Sequence, residues 1–196
     1  MKNLIVFGAG SGDDIANFKT EIVPGQRDWT VWAFEPGPKR FNDLEYRFQY
    51  VDSIKCINAA IGVSDSTIKL YEAPGPNSRS TNPGKARLNL LKYDEVQQID
   101  VRRWMTENIN KDDLNIMVID IEGAEYNVVD ALKDHNLLEW IDELYIEFHG
   151  EKIADFDMQR ELDMVEMLKD HFGDKVYIFR YFQHDKFLEL NAEGVV

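Results

Sequence analysis

Short apolar runs that end on a glycine or an acid, each followed by residues at helical spacing, constrain this chain more than any other feature. The first run, Leu4-Ile5-Val6-Phe7, is apolar throughout and is closed by Gly8. That pattern predicts a strand buried on both faces of a parallel sheet. A helix is predicted next: Asp13 and Asp14 supply negative charge to its first turn, Ile15, Phe18 and Ile22 form one apolar face, and Pro24-Gly25 ends it. Trp29 to Phe34 reads as a second strand ending at Glu35, Pro36-Gly37-Pro38 turns the chain, and Phe41, Leu44 and Phe48 repeat the helical spacing. Ile54 to Ile61 reads as the third strand. Parallel neighbours need crossovers, so this alternation in units of about 30 residues predicts right-handed βαβ connections and a doubly wound α/β sheet.

The second half is less regular. Thr67 to Tyr71 reads as an extra strand, residues 73–87 as a long Pro-, Gly-, Ser- and Asn-rich loop, and Val101 to Met105 as another short strand. Asn115 to Ile121 is a strongly apolar central strand, after which Gly123 and Ala124 open a helix carrying Val128, Val129 and Leu132. Trp140 to Phe148 ends in a further buried strand. Met158, Leu162, Val165, Leu168 and Phe172 mark a long amphipathic helix. Val176 to Phe182 and Phe187 to Leu190 read as a closing antiparallel hairpin.

At 196 residues without a repeat or linker, the expectation is one domain over 1–196, large enough for its own core. The 36 acidic against 22 basic side chains give a formal charge of −14, a field that repels nucleic acid and anionic membranes. Cys56, the single cysteine, rules out an internal disulfide, and Leu4 to Phe7 is too short for a signal or membrane segment. A soluble cytoplasmic protein is expected, with no nucleic-acid or membrane partner.

Gly8-Ala9-Gly10-Ser11-Gly12 lies between a buried strand and a helix, where absent side chains let a ligand approach backbone N–H groups. A dinucleotide fingerprint needs Gly or Ala at position 13, and Asp13 stands there. Its charge opposes a pyrophosphate but not a ligand whose charged part is a sulfonium and an amino acid. Glu35 follows Gly12 by 23 positions, close to the roughly 20-residue offset at which an acid meets ribose hydroxyls. The plainer readings are a tight turn without ligand and a solvated strand-end acid.

Asp120 and Glu122 are two apart at the end of one strand, and Glu147 and His149 repeat that spacing at the end of the next. At the carboxyl edge of an open sheet these four converge, a candidate for general-base work on a hydroxyl or for an oxygen-ligated divalent cation. The alternative is that Asp120, Glu122 and Glu125 only cap a helix N-terminus. Serine-hydrolase chemistry finds no G-x-S-x-G elbow, and His135, His171 and His184 have no metal-ligand spacing. Arg79, Lys85, Arg87, Arg102 and Arg103 form a local basic minority suited to an anionic substrate or to charge balance.

Gly8-Ala9-x-x-Gly12-Asp13, Ala33-Phe34-Glu35-Pro36, Asn58-Ala59-Ala60-Ile61, Asp120-Ile121-Glu122-Gly123-Ala124-Glu125 and Glu147-Phe148-His149 occur in that order. Together they resemble the FkbM-type S-adenosylmethionine-dependent methyltransferases. The resemblance implies a class I methyltransferase (Rossmann-like) fold, with a seven-stranded mostly parallel sheet and a C-terminal antiparallel hairpin. It also implies O-methylation of a small molecule or saccharide. By position, Gly8, Ala9, Gly10, Gly12 and Asp13 would bound the methionine part of S-adenosylmethionine, Glu35 would hold the ribose, and Ala59 and Ala60 would flank the adenine. Asp120, Glu122, Glu147 and His149 would face the transferred methyl and the acceptor, and no metal ligand is assigned among them. The chain departs from the family where Val6 replaces an acid and Val118 a lysine. A cover for the substrate would come from residues 73–87 or from a second copy in a homo-oligomer. The alternatives are a catalytically degenerate cofactor-binding module and an NAD(P)-dependent oxidoreductase.

Overall fold

The computed structural model describes residues 1–13, 15–16, 28–72, 79–85 and 88–180. Two sheets carry ten strands among these residues. The main sheet joins β1 (Lys2–Phe7), β2 (Trp29–Phe34), β3 (Ile54–Ile57), β8 (Leu114–Ile119), β9 (Glu143–Phe148) and β10 (Val176–Arg180) in the order β10-β9-β8-β1-β2-β3. Every pair in it is parallel. The order reverses between β1 and β8, which opens a crevice at their carboxyl ends.

The unbroken apolar runs follow from burial on both faces. On β1, Ile5 and Phe7 join one core cluster while Leu4 and Val6 join the other. Three helices cover the first face: α2 (Val101–Asn108), α3 (Glu125–Asp134) and α4 (Met158–Phe172). Beneath the ends of β1 and β2, Phe7, Phe34 and Trp104 pack edge to face, with ring centroids 4.9–6.0 Å apart. Helix α1 (Pro38–Phe48) covers the other face through Leu44. On α4 the buried stripe runs through Glu161, Met164, Leu168 and Phe172, and Met158 and Leu162 are exposed.

A second sheet, in the order β4-β7-β5-β6, comprises β4 (Ala60–Gly62), β5 (Ser66–Glu72), β6 (Arg79–Ser80) and β7 (Asn89–Asp100). It corrects three expectations. The run from Ile54 to Ile61 is two strands in different sheets, split where Asn58 turns back and its side-chain amide donates to the Glu35 carbonyl at 2.8 Å. Val101 to Met105 is helical: Asp100 caps it by accepting from the Arg102 N–H at 2.9 Å, and Val101, Trp104 and Met105 are its buried face. The twelve-residue β7 was not foreseen, because it is solvated along most of its length and has no apolar alternation to betray it.

The main sheet has six strands among the described residues, against seven expected. Val176 to Arg180 is a strand parallel to β9. Residues 181–190, which hold the rest of the expected hairpin, lie outside the described residues, as do Asp14, Phe18 and Ile22 of the first predicted helix and residues 73–78 and 86–87 of the predicted loop. Among the described residues no helix is long and apolar enough to cross a membrane.

Gly8 has φ +88°, and a Cβ there would lie 1.8 Å from the Asp120 carbonyl oxygen. Gly10 has φ +55°, but a Cβ there meets only the Arg40 guanidinium at 3.6 Å. Gly8→Ala is therefore expected to destabilise the protein by about 2–5 kcal/mol, combining left-handed strain with a backbone collision, and Gly10→Ala by about 1–2 kcal/mol from strain alone. Urea midpoints of the two variants check this; equal midpoints would contradict it.

Candidate active site

The carboxyl ends of β1, β2 and β8 and the start of β4 converge on one open cleft. Gly8, Glu35, Ala59, Ala60, Asp120 and Glu122 all line it. The Gly8 and Ala9 N–H groups both donate to the Phe34 carbonyl, at 3.0 and 2.8 Å, which curls the β1 turn over the end of β2. Glu35, 6% exposed, accepts from the Gly10 N–H at 2.9 Å on one oxygen and from the Gly37 N–H at 2.7 Å on the other. Burial pushes its carboxyl above the ordinary value, and those N–H donors with nearby Arg40 offset part of the rise. Each oxygen keeps acceptor capacity toward the cleft.

Not every residue of the glycine turn faces this cleft. Ala9 is buried in the core beside α1, and a Cβ at Gly12 would lie 2.4 Å from Phe48, so both serve packing. Asp13 is exposed and pairs with Arg47 at 2.6 Å, which holds its carboxyl below the ordinary value. Its charge is spent outside the cleft.

On the other side of the switch point the expected acid cluster forms. His149 is 1% exposed, with Nε2 lying 3.4 Å from Glu147, 3.6 Å from Glu122 and 3.7 Å from Asp120. Glu125, fully buried in the first turn of α3, accepts from the His149 N–H at 2.8 Å and meets its Nδ1 at 3.1 Å. Its second oxygen accepts from the Gly123 N–H at 2.7 Å, so Glu125 links the turns after β8 and β9 as well as sitting at a helix N-terminus. Burial alone would push the imidazole down, but the carboxylates around it win, and its pKa is pushed up to about 10. At neutral pH His149 is an imidazolium.

Glu122 adopts left-handed φ of +57°, which turns its carboxylate back over His149. A strap from the second sheet holds that conformation: the Ser80 hydroxyl donates to the Glu122 carbonyl at 2.7 Å, the Asn82 amide to the Gly123 carbonyl at 3.1 Å, and Lys85 pairs with the Glu122 carboxylate. Burial opposes the charge on Glu122, yet His149 and Lys85 hold its carboxyl below the ordinary value. Asp120 differs. One of its oxygens is buried without a hydrogen-bond partner, and burial plus the Glu147 charge push its pKa up to about 7. Four acidic side chains (Asp120, Glu122, Glu125, Glu147) face three basic ones (His149, Lys85, Lys152), and Asp120 is the acid whose pKa is raised to about 7 by burial and by the neighbouring Glu147.

Ligand atoms of Asp120, Glu122 and His149 lie within 4.8 Å of one another, close enough for a divalent cation. Such an ion would have to displace the proton that His149 holds up to about pH 10. Below the cluster, Glu161 of α4 is fully buried and accepts from the Tyr126 hydroxyl at 2.7 Å, with Tyr126 stacked on Phe148. That pair braces the turn carrying His149 and Gly150.

Of the residues singled out in the sequence, the structure gathers Asp120, Glu122 and Glu147 around His149 and sets Glu35, Ala59 and Ala60 along the cleft that Asp120 and Glu122 line; Arg40 and, in the strap, Ser80 and Asn82 carried no sequence signal of their own. Lys85 stood out only as one of several local cations, and Glu125 only as a cap. The signal for Lys85 was a lysine inside a Pro/Gly-rich loop of an acidic chain.

Two raised pKa values give stability a definite pH slope. Between the ordinary histidine value of 6.5 and about 10, the folded chain keeps a proton on His149 that the unfolded chain releases, so this contribution is complete below 6.5 and lost as pH rises. Asp120 acts with the same sign between 3.8 and about 7. Urea midpoints should decline from about pH 5 to about pH 10, and Asp120→Asn should flatten only the part below neutrality. Ring carbon shifts of His149 should still report an imidazolium at about pH 8; a resonance titrating near 6.5 would contradict the geometry.

This cleft lies inside the region that a family model describes: the Methyltransferase FkbM domain matches residues 7–179. Methyltransferase 1 of Beauveria bassiana (strain ARSEF 2860) is 24% identical over 174 residues, covering 80% of this chain and 69% of that protein. In fold, the chain is similar to the crystal structure of Methyltransferase FkbM from Methylobacillus flagellatus KT, with a TM-score of 0.52 at 15% identity over 88% of this chain. It spans 38% of that larger chain. Because the family domain runs without a break from the glycine turn through Glu35 and the acid cluster to the last described strand, the chain belongs to the FkbM methyltransferase family.

Proposed function

We propose that the protein is an S-adenosylmethionine-dependent O-methyltransferase acting on a hydroxyl of a small-molecule or saccharide acceptor. One observation carries the reading. A glycine-and-acid cradle and a carboxyl group of pKa about 7 share one cleft, separated only by the contact of Gly8 with the Asp120 carbonyl. The residues fit the donor. Gly10 carries no side chain between the Glu35 carboxylate and the Arg40 guanidinium, Glu35 offers two oxygens already anchored by backbone N–H groups, and Ala59 and Ala60 form a small-residue wall. When bound, the donor would supply a methyl group activated by a positively charged sulfur.

The chain's own residues would do the rest. Glu35 would accept from ribose hydroxyls, and the alanines would face the base. Asp120 would take the acceptor's proton, since its pKa near neutrality suits a general base. His149, protonated and immobilised by Glu125, would act as a fixed positive charge that keeps the ionised form of Asp120 accessible. This assigns proton removal to Asp120 rather than His149. Aligning the hydroxyl with the reacting methyl group is a positioning effect worth several kcal/mol.

A catalytically degenerate module is favoured by one observation: Val6 faces the core cluster beside α1, so no acid stands two residues before Gly8. The nicotinamide alternative draws no support from Asp13, whose partner is Arg47 outside the cleft.

Calorimetric titration should show S-adenosylmethionine binding; no heat at millimolar ligand would end the proposal. With a panel of saccharides and phenols, Asp120→Asn should lower the release of S-adenosylhomocysteine by about 10²–10⁴-fold while leaving donor affinity within about threefold. Donor binding without turnover in either protein would favour the degenerate module.

A further inference from the structure

Arg40 is the third residue of α1 and lines the cleft half-buried, with Nη1 3.6 Å from the position a Gly10 Cβ would take. Among the described residues its guanidinium makes no hydrogen bond and no ion pair. Its neighbours are committed: Arg47 pairs with Asp13, and Arg79 with Asp94 and Glu72. Glu35 feels the Arg40 charge without a direct ion pair to it, each of its oxygens accepting one backbone N–H from Gly10 or Gly37. The position is also locally unfavourable. The first turn of α1 carries Lys39 and Arg40 with no acid, so two cations stand at the positive end of the helix dipole. A charge kept against local preference beside a binding cleft, near Glu35 and Asp13 but with no hydrogen-bond or ion-pair partner among the described residues, suits an anion from outside.

The cleft says which anion. Ala59 and Ala60 line it after β3, while Gly8, Glu35 and Arg40 line it beside the glycine turn, where Glu35 accepts from the Gly10 N–H. If the alanine side takes the base and Glu35 the ribose, the amino-acid tail of the donor extends along the glycine side, where Arg40 stands. The donor's one anionic group is the α-carboxylate at the end of that tail. Across the cleft, Asp120 and Glu122 present carboxyl groups. Resting on the cofactor reading above, we infer that Arg40 binds the donor's α-carboxylate and makes the site selective for the intact amino-acid tail.

The test compares wild type and Arg40→Gln by calorimetric titration with two ligands. S-adenosylhomocysteine carries the tail, and 5′-methylthioadenosine has the same nucleoside and thioether without it. The variant should bind S-adenosylhomocysteine about 10- to 100-fold more weakly, the range for losing a hydrogen-bonded charge, and 5′-methylthioadenosine within about twofold of wild type. Arg40→Lys should recover part of the loss. Equal weakening of both ligands, or of neither, overturns the role of Arg40 and leaves the cofactor reading standing. If wild type binds neither ligand, the cofactor reading itself fails. Matching urea midpoints for wild type and Arg40→Gln confirm that the comparison is between folded proteins.

Discussion

The arrangement of this molecule turns on a backbone contact. At the switch point of the main sheet, β1 pairs with β2 on one side and β8 on the other, and Gly8 lies against the carbonyl of Asp120 with no room for a single methyl group. The Asp120 N–H donates to the Phe7 carbonyl at 3.0 Å, and the Gly8 and Ala9 N–H groups donate to the Phe34 carbonyl. Three strand ends are thus stitched by main-chain atoms, which have no rotamers through which to adapt. The glycine cradle and the acid cluster share a cleft because of this contact, and each is displaced if it is lost.

The acid cluster concentrates what the rest of the fold avoids. His149 and Glu125 are almost wholly removed from water, Asp120 keeps a buried oxygen with no hydrogen bond, and Glu122 sits in a strained backbone conformation. Each costs stability, and such departures from local preference gather at functional sites. They persist because apolar clusters fill both faces of the sheet around them. Removing one partner leaves the others buried and uncompensated, unlike exposed pairs such as Arg103 with Asp65, which contribute little.

The second sheet works as a support for that strained turn. Its β6 end and the residues after it bring Ser80, Asn82 and Lys85 onto Glu122 and Gly123, while the Lys85 backbone bridges to Ile153 beside the His149 turn. The strap ties the ends of β8 and β9 to each other from above, as Glu125 does from below. Family membership says nothing of how this chain's own charges are balanced; three cations set against four carboxylates show it directly.

The main elements were legible because their causes are local. Continuous apolar runs marked strands buried on both faces, turn residues marked their ends, and two-residue spacing put Asp120 with Glu122 and Glu147 with His149 at one edge. The misreadings have local causes too. Val101 to Met105 is as consistent with a strand as with the helix its Asp100 cap selects, and β7 is held by pairing with β5, including Lys69 over the Tyr93 ring at 4.1 Å, rather than by its own pattern. The sequence by itself therefore determined the order of strands and helices and the chemical types gathered at their ends. The tertiary structure decided which of those groups face one another, that Asp13 and Gly12 turn away from the cleft while Arg40 turns toward it, and that His149 holds its proton while the pKa of Asp120 is brought to about 7. Those outcomes depend on distances between residues far apart in the chain and on water excluded by packing, neither of which leaves a periodic trace in the order of amino acids.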